Sequence, residues 1–159
     1  MLQLTVISVG TLKENYLKDA VAEYKKRLMQ YARVEEVNIK EETIKNEDDL
    51  SEISRALSAE GDKILSAIPK DSYKVALCVE GKEFDSPALA KFISDAGDAK
   101  GRIALIIGSS HGLSDTVKKS CDARISLSKL TFPHQLMRVI LMETLYRSFT
   151  IIAGKRYHK

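Results

Sequence analysis

The chain has 159 residues, 44% of them hydrophobic and 30% charged, with a formal net charge of +3; that is the balance of a globular domain with one core, and it excludes a disordered or fibrous chain. No apolar run approaches the roughly 20 residues of a membrane helix, and the apolar start, Leu2 to Val9, has neither a basic flank nor a small-residue cleavage site, so one cytosolic domain over residues 1–159 is expected. The two cysteines and three histidines have neither metal-ligand nor redox spacing, so inert thiols and no metal are expected.

In chain order, Leu2 to Val9 reads as a strand followed by Gly10. Thr11 and Glu14 fit a capping box, and the helix it opens runs to about Tyr31 with Leu17, Val21, Tyr24 and Leu28 at helical spacing. Val34 to Ile39 is a second strand, and the acidic stretch Glu41 to Asp49 after it lacks calcium-ligand spacing. Leu50, Ile53, Leu57, Ile64, Leu65 and Ile68 mark a second helix, slightly weakened by Gly61 and ended by Pro69. Lys74 to Val79 is a third strand, apolar enough to be buried on both faces, which opens into a turn at Glu80-Gly81-Lys82. Ser86-Pro87 caps a third helix that Gly97 closes. Ile103 to Ile107, the most hydrophobic run, is a fourth strand ending in Gly108-Ser-Ser-His-Gly112, and a short helix covers Ser114 to Lys119. A last short strand (Ile125, Leu127) and a polar turn (Ser128, Lys129, Thr131) lead to a long helix opened by Pro133, where the missing N–H costs nothing.

That last helix is apolar on nearly every side, more than one core-facing stripe requires, which predicts a second packing surface supplied by another subunit. Alternating strands and helices predict an α/β fold: a parallel-rich sheet flanked by helices on both faces. Ligands of such sheets sit outside the carboxyl ends of the strands, which directs attention to the loops after Val79, Ile107 and Leu127.

The loop Gly108 to Gly112 matches the G-x-S-x-G nucleophile elbow, so a serine esterase with Ser110 as nucleophile is one alternative. It would need Asp122 with His134, or Glu143 with His158, as partners; the chain is short for that fold and has no His-Gly-Gly oxyanion segment. Neither a dinucleotide fingerprint nor a phosphate-cradling G-x-x-x-x-G-K-[ST] occurs. The three loops offer backbone polar groups and apolar side chains, a mixture suited to a neutral purine and ribose. From Arg124 onward, seven basic residues stand against one acid, Glu143, a distribution compatible with a polyanionic partner.

Four segments carry a resemblance: Leu77-Cys-Val-Glu-Gly-Lys82, Ile106-Ile-Gly-Ser-Ser-His-Gly-Leu-Ser114, Leu127-Ser-Lys-Leu-Thr-Phe-Pro-His-Gln-Leu-Met-Arg138 and the terminal Tyr157-His-Lys159. With Val9-Gly-Thr-Leu-Lys13, they resemble the ribosomal RNA large subunit methyltransferase H family over essentially the whole chain. The resemblance implies a small SPOUT-type fold with a C-terminal trefoil knot, a homodimer, and methylation of N3 of a pseudouridine in helix 69 of 23S ribosomal RNA within the ribosome, with neither membrane nor DNA as partner. A non-enzymatic ribosome-binding dimer is the other alternative.

Carried over by position, the resemblance places an S-adenosylmethionine pocket on Leu77, Gly108, Leu127, Ser128, Lys129, Leu130, Thr131 and Phe132. It also implies a catalytic group in which His158 is base or orienter, Tyr157 a stacking or hydrogen-bonding partner, and Arg138 and Arg147 phosphate or transition-state contacts. The terminal tail is then expected to reach the partner subunit's pocket. Ser109 stands where the family has a second glycine; were φ positive there, serine would be strained.

Overall fold

The structure, a computed structural model, describes residues 1–159. Strands and helices alternate along it: β1 (Leu2–Val9), α1 (Asn15–Leu28), β2 (Ala32–Ile39), α2 (Leu50–Ala67), β3 (Tyr73–Glu83), α3 (Ser86–Lys100), β4 (Arg102–Ile107), α4 (Asp115–Ser120), β5 (Ala123–Ser126) and α5 (His134–Ile152). The five strands form one sheet in the order β2-β1-β4-β3-β5, every pairing parallel.

Side chains alternate across this sheet with period two. Leu4, Val6, Val75, Leu105, Ile107 and Ile125 meet Val21 and Leu28 of α1, Leu89 and Ile93 of α3, and Leu141, Leu145 and Phe149 of α5. Ile7, Val9, Ala76 and Ile106 meet Ile64 of α2 and Val117 of α4 on the opposite face. Burial on both faces is why β4 has no polar alternation. No helix is long and apolar enough to cross a membrane.

Part of the second surface expected around α5 lies within the chain, because the helix packs on both α1 and α3. Tyr31 stacks on Phe149 at 5.8 Å between ring centroids, and Tyr24 meets Tyr146 at 6.3 Å. Leu136 and Ile152 are exposed, and Met137, Val139 and Ile140 are half-buried.

Several boundaries differ from the sequence expectation. No capping box forms at Thr11 and Glu14: α1 starts at Asn15 without a side-chain cap, and Lys13 N–H instead donates to Gln135 Oε1 at 3.0 Å, tying the segment to α5. Asp85, not Ser86, caps α3, accepting from the Ala88 N–H at 2.8 Å. That helix continues past Gly97 to a left-handed cap at Gly101 (φ 68°), where glycine carries no Cβ penalty. Nor does β3 end in a turn at Glu80. Leu77 and Lys82 both pair with Ile125, so the intervening residues bulge from the ladder before the strand resumes. A Cβ on Gly81 would stand 2.5 Å from the Ile125 backbone, so only glycine fits this crossing.

Candidate active site

In a parallel sheet all carboxyl ends lie on one side, and here the bulge after Leu77, the loop after Ile107 and the loop after Ser126 converge on a cleft of about 710 Å³, within the usual range for small-molecule sites. Leu77, Gly108, Leu127, Ser128, Leu130, Thr131 and Phe132 line it. Lys129 does not: its side chain is 84% exposed and stands 3.5 Å from Glu83. The wall also includes Cys78, Glu80, Ser109, Lys118, His134 and Met137, which come from four different segments and have no common sequence spacing.

The loops are held by their own backbone. Gly112 N–H donates to the Ser109 carbonyl at 2.9 Å, and Gly112 has φ 86°. Any Cβ on Gly108 would collide with the Gly112 carbonyl, so the first glycine is required for close approach. Ser109 carries no strain: Asp71 is the one non-glycine residue with positive φ, which removes the concern over a serine at this position. After β5, the Ser126 hydroxyl donates to the Ser128 carbonyl at 2.9 Å, and Leu130 N–H donates to Ser128 Oγ at 3.0 Å.

Glu80 and Lys118 are the only formally charged side chains on the cleft wall, and they pair with each other at 2.5 Å. The Lys118 hydrogen bond holds the Glu80 carboxyl below its usual range. Burial pushes the Cys78 thiol up, away from thiolate chemistry. Apart from one opposed charge pair, then, the cleft is lined by apolar residues, backbone polar groups and hydroxyl and imidazole side chains such as Thr131 and His134.

The esterase arrangement does not assemble. Ser110 is exposed and has no hydrogen bond to a histidine. Asp122 sits at the other end of the sheet, its carboxylate accepting the Lys74 N–H at 2.7 Å, while Glu143 is engaged by Arg147 and Tyr157.

The four residues expected to be catalytic separate into two places. Arg138 is 5% exposed; its guanidinium donates to Asn38 Oδ1 at 3.0 Å, to the Val9 carbonyl at 3.5 Å and to the Gly10 carbonyl. This arginine therefore clamps α5 to the ends of β1 and β2, with its guanidinium taken up by acceptors of its own chain. Burial lowers its proton affinity, yet a guanidinium keeps its charge. Arg147, Tyr157 and His158 do meet. Arg147 pairs with Glu143 at 2.5 Å, lies 4.8 Å over the Tyr157 ring and approaches His158 Nδ1 at 3.4 Å. Burial, followed by hydrogen bonding to Tyr24 and the Glu143 charge, pushes the Tyr157 phenol up to about 12. None of these residues lines the cleft of its own chain. At 1.5 Å rise per residue, α5 carries Arg147 about 20 Å from His134 at the cleft wall.

Comparison with known proteins agrees with this geometry. The family model described as "Predicted SPOUT methyltransferase" matches residues 2–158. Proteins named ribosomal RNA large subunit methyltransferase H are similar over almost the full length of both chains: 44% identity in Shouchella clausii (99% of this chain, 100% of the relative), 43% in Clostridium acetobutylicum (99% and 100%) and 42% in Caldicellulosiruptor saccharolyticus (98% and 99%). An all-parallel sheet, a cleft at its carboxyl ends and a match that leaves out only the terminal residues lead to one assignment: the chain belongs to the SPOUT methyltransferase family.

Proposed function

We propose that this chain is an S-adenosylmethionine-dependent methyltransferase acting on N3 of a pseudouridine in helix 69 of 23S ribosomal RNA, on the assembled ribosome, as a cytoplasmic homodimer with a knotted C-terminal region. The observation that carries the reading is the cleft, which brings seven of the eight positions of the expected cofactor pocket together at three strand ends. Its volume, apolar wall and single pair of opposed charges fit a zwitterionic amino acid joined to a purine nucleoside.

When bound, the cofactor supplies an electrophilic methyl group on a sulfonium. The protein's task is then mostly proximity and orientation. The half-buried Leu77, Leu127 and Phe132 exclude water, and the backbone of the Gly108 and Ser128 loops supplies the polar contacts. The target imide must lose a proton to become nucleophilic, so a base or a nearby cation is required. His158 of the partner subunit's tail, with Arg147 of the α5 on which that tail docks, meets that need, and Tyr157 is the surface on which the target base stacks. The tail cannot serve its own cleft from where it lies, and the exposed or half-buried apolar residues early in α5, Leu136, Met137 and Ile140, offer a surface for a second copy.

The test is transfer of labelled methyl from S-adenosylmethionine to ribosomes lacking the modification, with free 23S ribosomal RNA alongside. Label at one pseudouridine in 70S particles is the expected result. No label on either substrate from a folded, cofactor-binding protein would overturn the assignment and favour a non-enzymatic ribosome-binding dimer.

A further inference from the structure

Tyr146 of α5 is the centre of a ring cluster. Tyr24 of α1 and Tyr31 just after that helix each stand 6.3 Å from it, and Tyr157 of the terminal tail meets it edge-on at 4.8 Å. Cations lie on these rings. Arg27 of α1 stands over both Tyr24 and Tyr146, at 5.7 and 5.8 Å, and Lys155 of the tail stands over Tyr31 at 4.9 Å. The quadrupole of a ring attracts a guanidinium or an ammonium to its face, so each charge is held in place on the surface instead of at the end of a free arm.

Neither charge is used up within the chain. Glu23 takes only the Nε end of Arg27, at 2.9 Å, in an exposed pair that is worth little in water, and the two terminal nitrogens of the guanidinium have no hydrogen-bond partner. Lys155 donates to a neutral acceptor, Gln30 Oε1 at 2.8 Å, and Arg156 and Lys159 follow it as exposed cations in the tail. One ring away from Tyr157, then, a fixed guanidinium keeps planar donors for an outside partner. A planar fork of this kind matches two oxygens of one phosphate.

We propose that Arg27, assisted by Lys155, grips the phosphodiester backbone of the substrate RNA beside the target nucleotide. The inference rests on the reading of the terminal tail as the group that acts on the target base at the partner subunit's cleft. A base held against Tyr157 has its flanking phosphates close by, and the cation over the adjoining ring, Tyr146, is Arg27. Phosphate contacts fix register and orientation and read no sequence. Arg27 is therefore a substrate-binding contact with no part in the proton transfer, and its loss is felt in RNA affinity before it is felt in the chemical step.

The test measures binding to unmodified 70S ribosomes and to free 23S ribosomal RNA over a salt series, together with steady-state methyl transfer, for wild type, Arg27→Gln, Arg27→Lys, Lys155→Gln and Lys91→Gln. Lys91 is the control, because it forms an equally exposed pair with Asp95 at 2.7 Å on α3, where no ring lies under it. Arg27→Gln should weaken binding and raise KM about tenfold, leave kcat within about twofold, and reduce the slope of log affinity against log salt by about one. Arg27→Lys should keep the salt slope and recover only part of the affinity, since an ammonium has no fork. Lys155→Gln should show a smaller loss, and Lys91→Gln should behave as wild type. Wild-type affinity and salt slope in Arg27→Gln, or an equal loss in Lys91→Gln, would overturn the proposal. A loss seen with ribosomes and absent with free RNA would assign the surface to a ribosomal protein and overturn it too. A wild type that binds as described, loses that binding in Arg27→Gln and yet transfers no methyl sustains the backbone contact and overturns the methyltransferase reading. Unaltered binding by Arg27→Gln, with transfer abolished by deletion of residues 156–159, overturns the contact and leaves the tail's role standing.

Discussion

The Tyr157 hydroxyl donates to Glu143 Oε1 at 3.2 Å, the oxygen that also receives Arg147 at 2.5 Å, so the terminal tail is folded onto the middle of α5 by one shared carboxylate. Docking of this kind places Tyr157 and His158 at a fixed point on the surface, away from the cleft of their own chain.

Removing residues 156–159 should lower methyl transfer by about 10²-fold or more, the usual worth of a positioned proton-transfer group, and leave cofactor affinity within a few-fold. Single-turnover transfer and calorimetry on the same preparation check this. Tyr157→Phe keeps the ring over Arg147 and should cost much less. Because the phenol is pushed up to about 12, it stays neutral throughout the physiological range, and the rate–pH profile should show no limb belonging to it there.

Arg138 is expected to matter for stability. Replacing it by methionine leaves the Val9 and Gly10 carbonyls and the Asn38 side chain without their donor, at about 3 kcal/mol in total. For a chain of this size that is a fall in Tm of about 6–12 °C. Arg138→Lys should recover little of it, since one ammonium cannot span three acceptors in the guanidinium plane. A Tm within about 2 °C of wild type for Arg138→Met would return this residue to a role in RNA contact.

How far the sequence alone reached depends on whether a feature is local. A strand buried on both faces leaves a plain signature, an unbroken apolar run, and β1 is found at its expected limits, with β4 one residue longer. Helix ends were harder, because tertiary contacts decide them. Gly97 does not stop α3; a Cβ there would press on Leu2 at 3.1 Å, so this glycine serves packing against the start of β1. The Glu80–Gly81–Lys82 turn failed for a similar reason, since the pairing of Lys82 with Ile125 lies in β5, far along the chain. In the cleft, residues at strand ends could be anticipated. Lys118 and Met137 could not, because only the fold brings α4 and α5 to the wall that the strand ends begin. The burial of Arg138 could not be read from a basic C-terminal segment, because the acceptors that hold it lie at the ends of β1 and β2.

The Glu80–Lys118 pair should contribute little to folding and more to ligand binding. Glu80 is more than half exposed, so the pair is worth at most about 1 kcal/mol of stability. Its carboxyl is held low, so that contribution is present above the ordinary carboxylate range and is lost as pH falls through the lowered value. Lys118→Gln removes the only formal cation on the wall and should weaken S-adenosylmethionine binding about tenfold, or about 1.4 kcal/mol. Thermal melts at neutral pH, paired with calorimetry, distinguish this from a general loss of structure.

Glycine substitutions should separate conformation from close approach. Gly101 caps α3 at φ 68° with open space where a Cβ would go, so Gly101→Ala bears only the cost of a left-handed residue, about 1 kcal/mol, and leaves the cleft alone. At Gly108 φ is not positive, but a methyl would occupy the place of the Gly112 carbonyl, and the neighbour is backbone that cannot swing aside. Relief then requires the loop to move away from the cleft. Gly108→Ala should therefore fold with a Tm lowered by several degrees and bind cofactor at least about tenfold more weakly, a loss out of proportion to its stability change. Gly81→Ala puts its methyl against the Ile125 backbone and should disturb the β3–β5 pairing as well. If Gly101→Ala and Gly108→Ala proved equal in both melting and binding, the close packing of the Gly108 loop would not be what shapes the cleft.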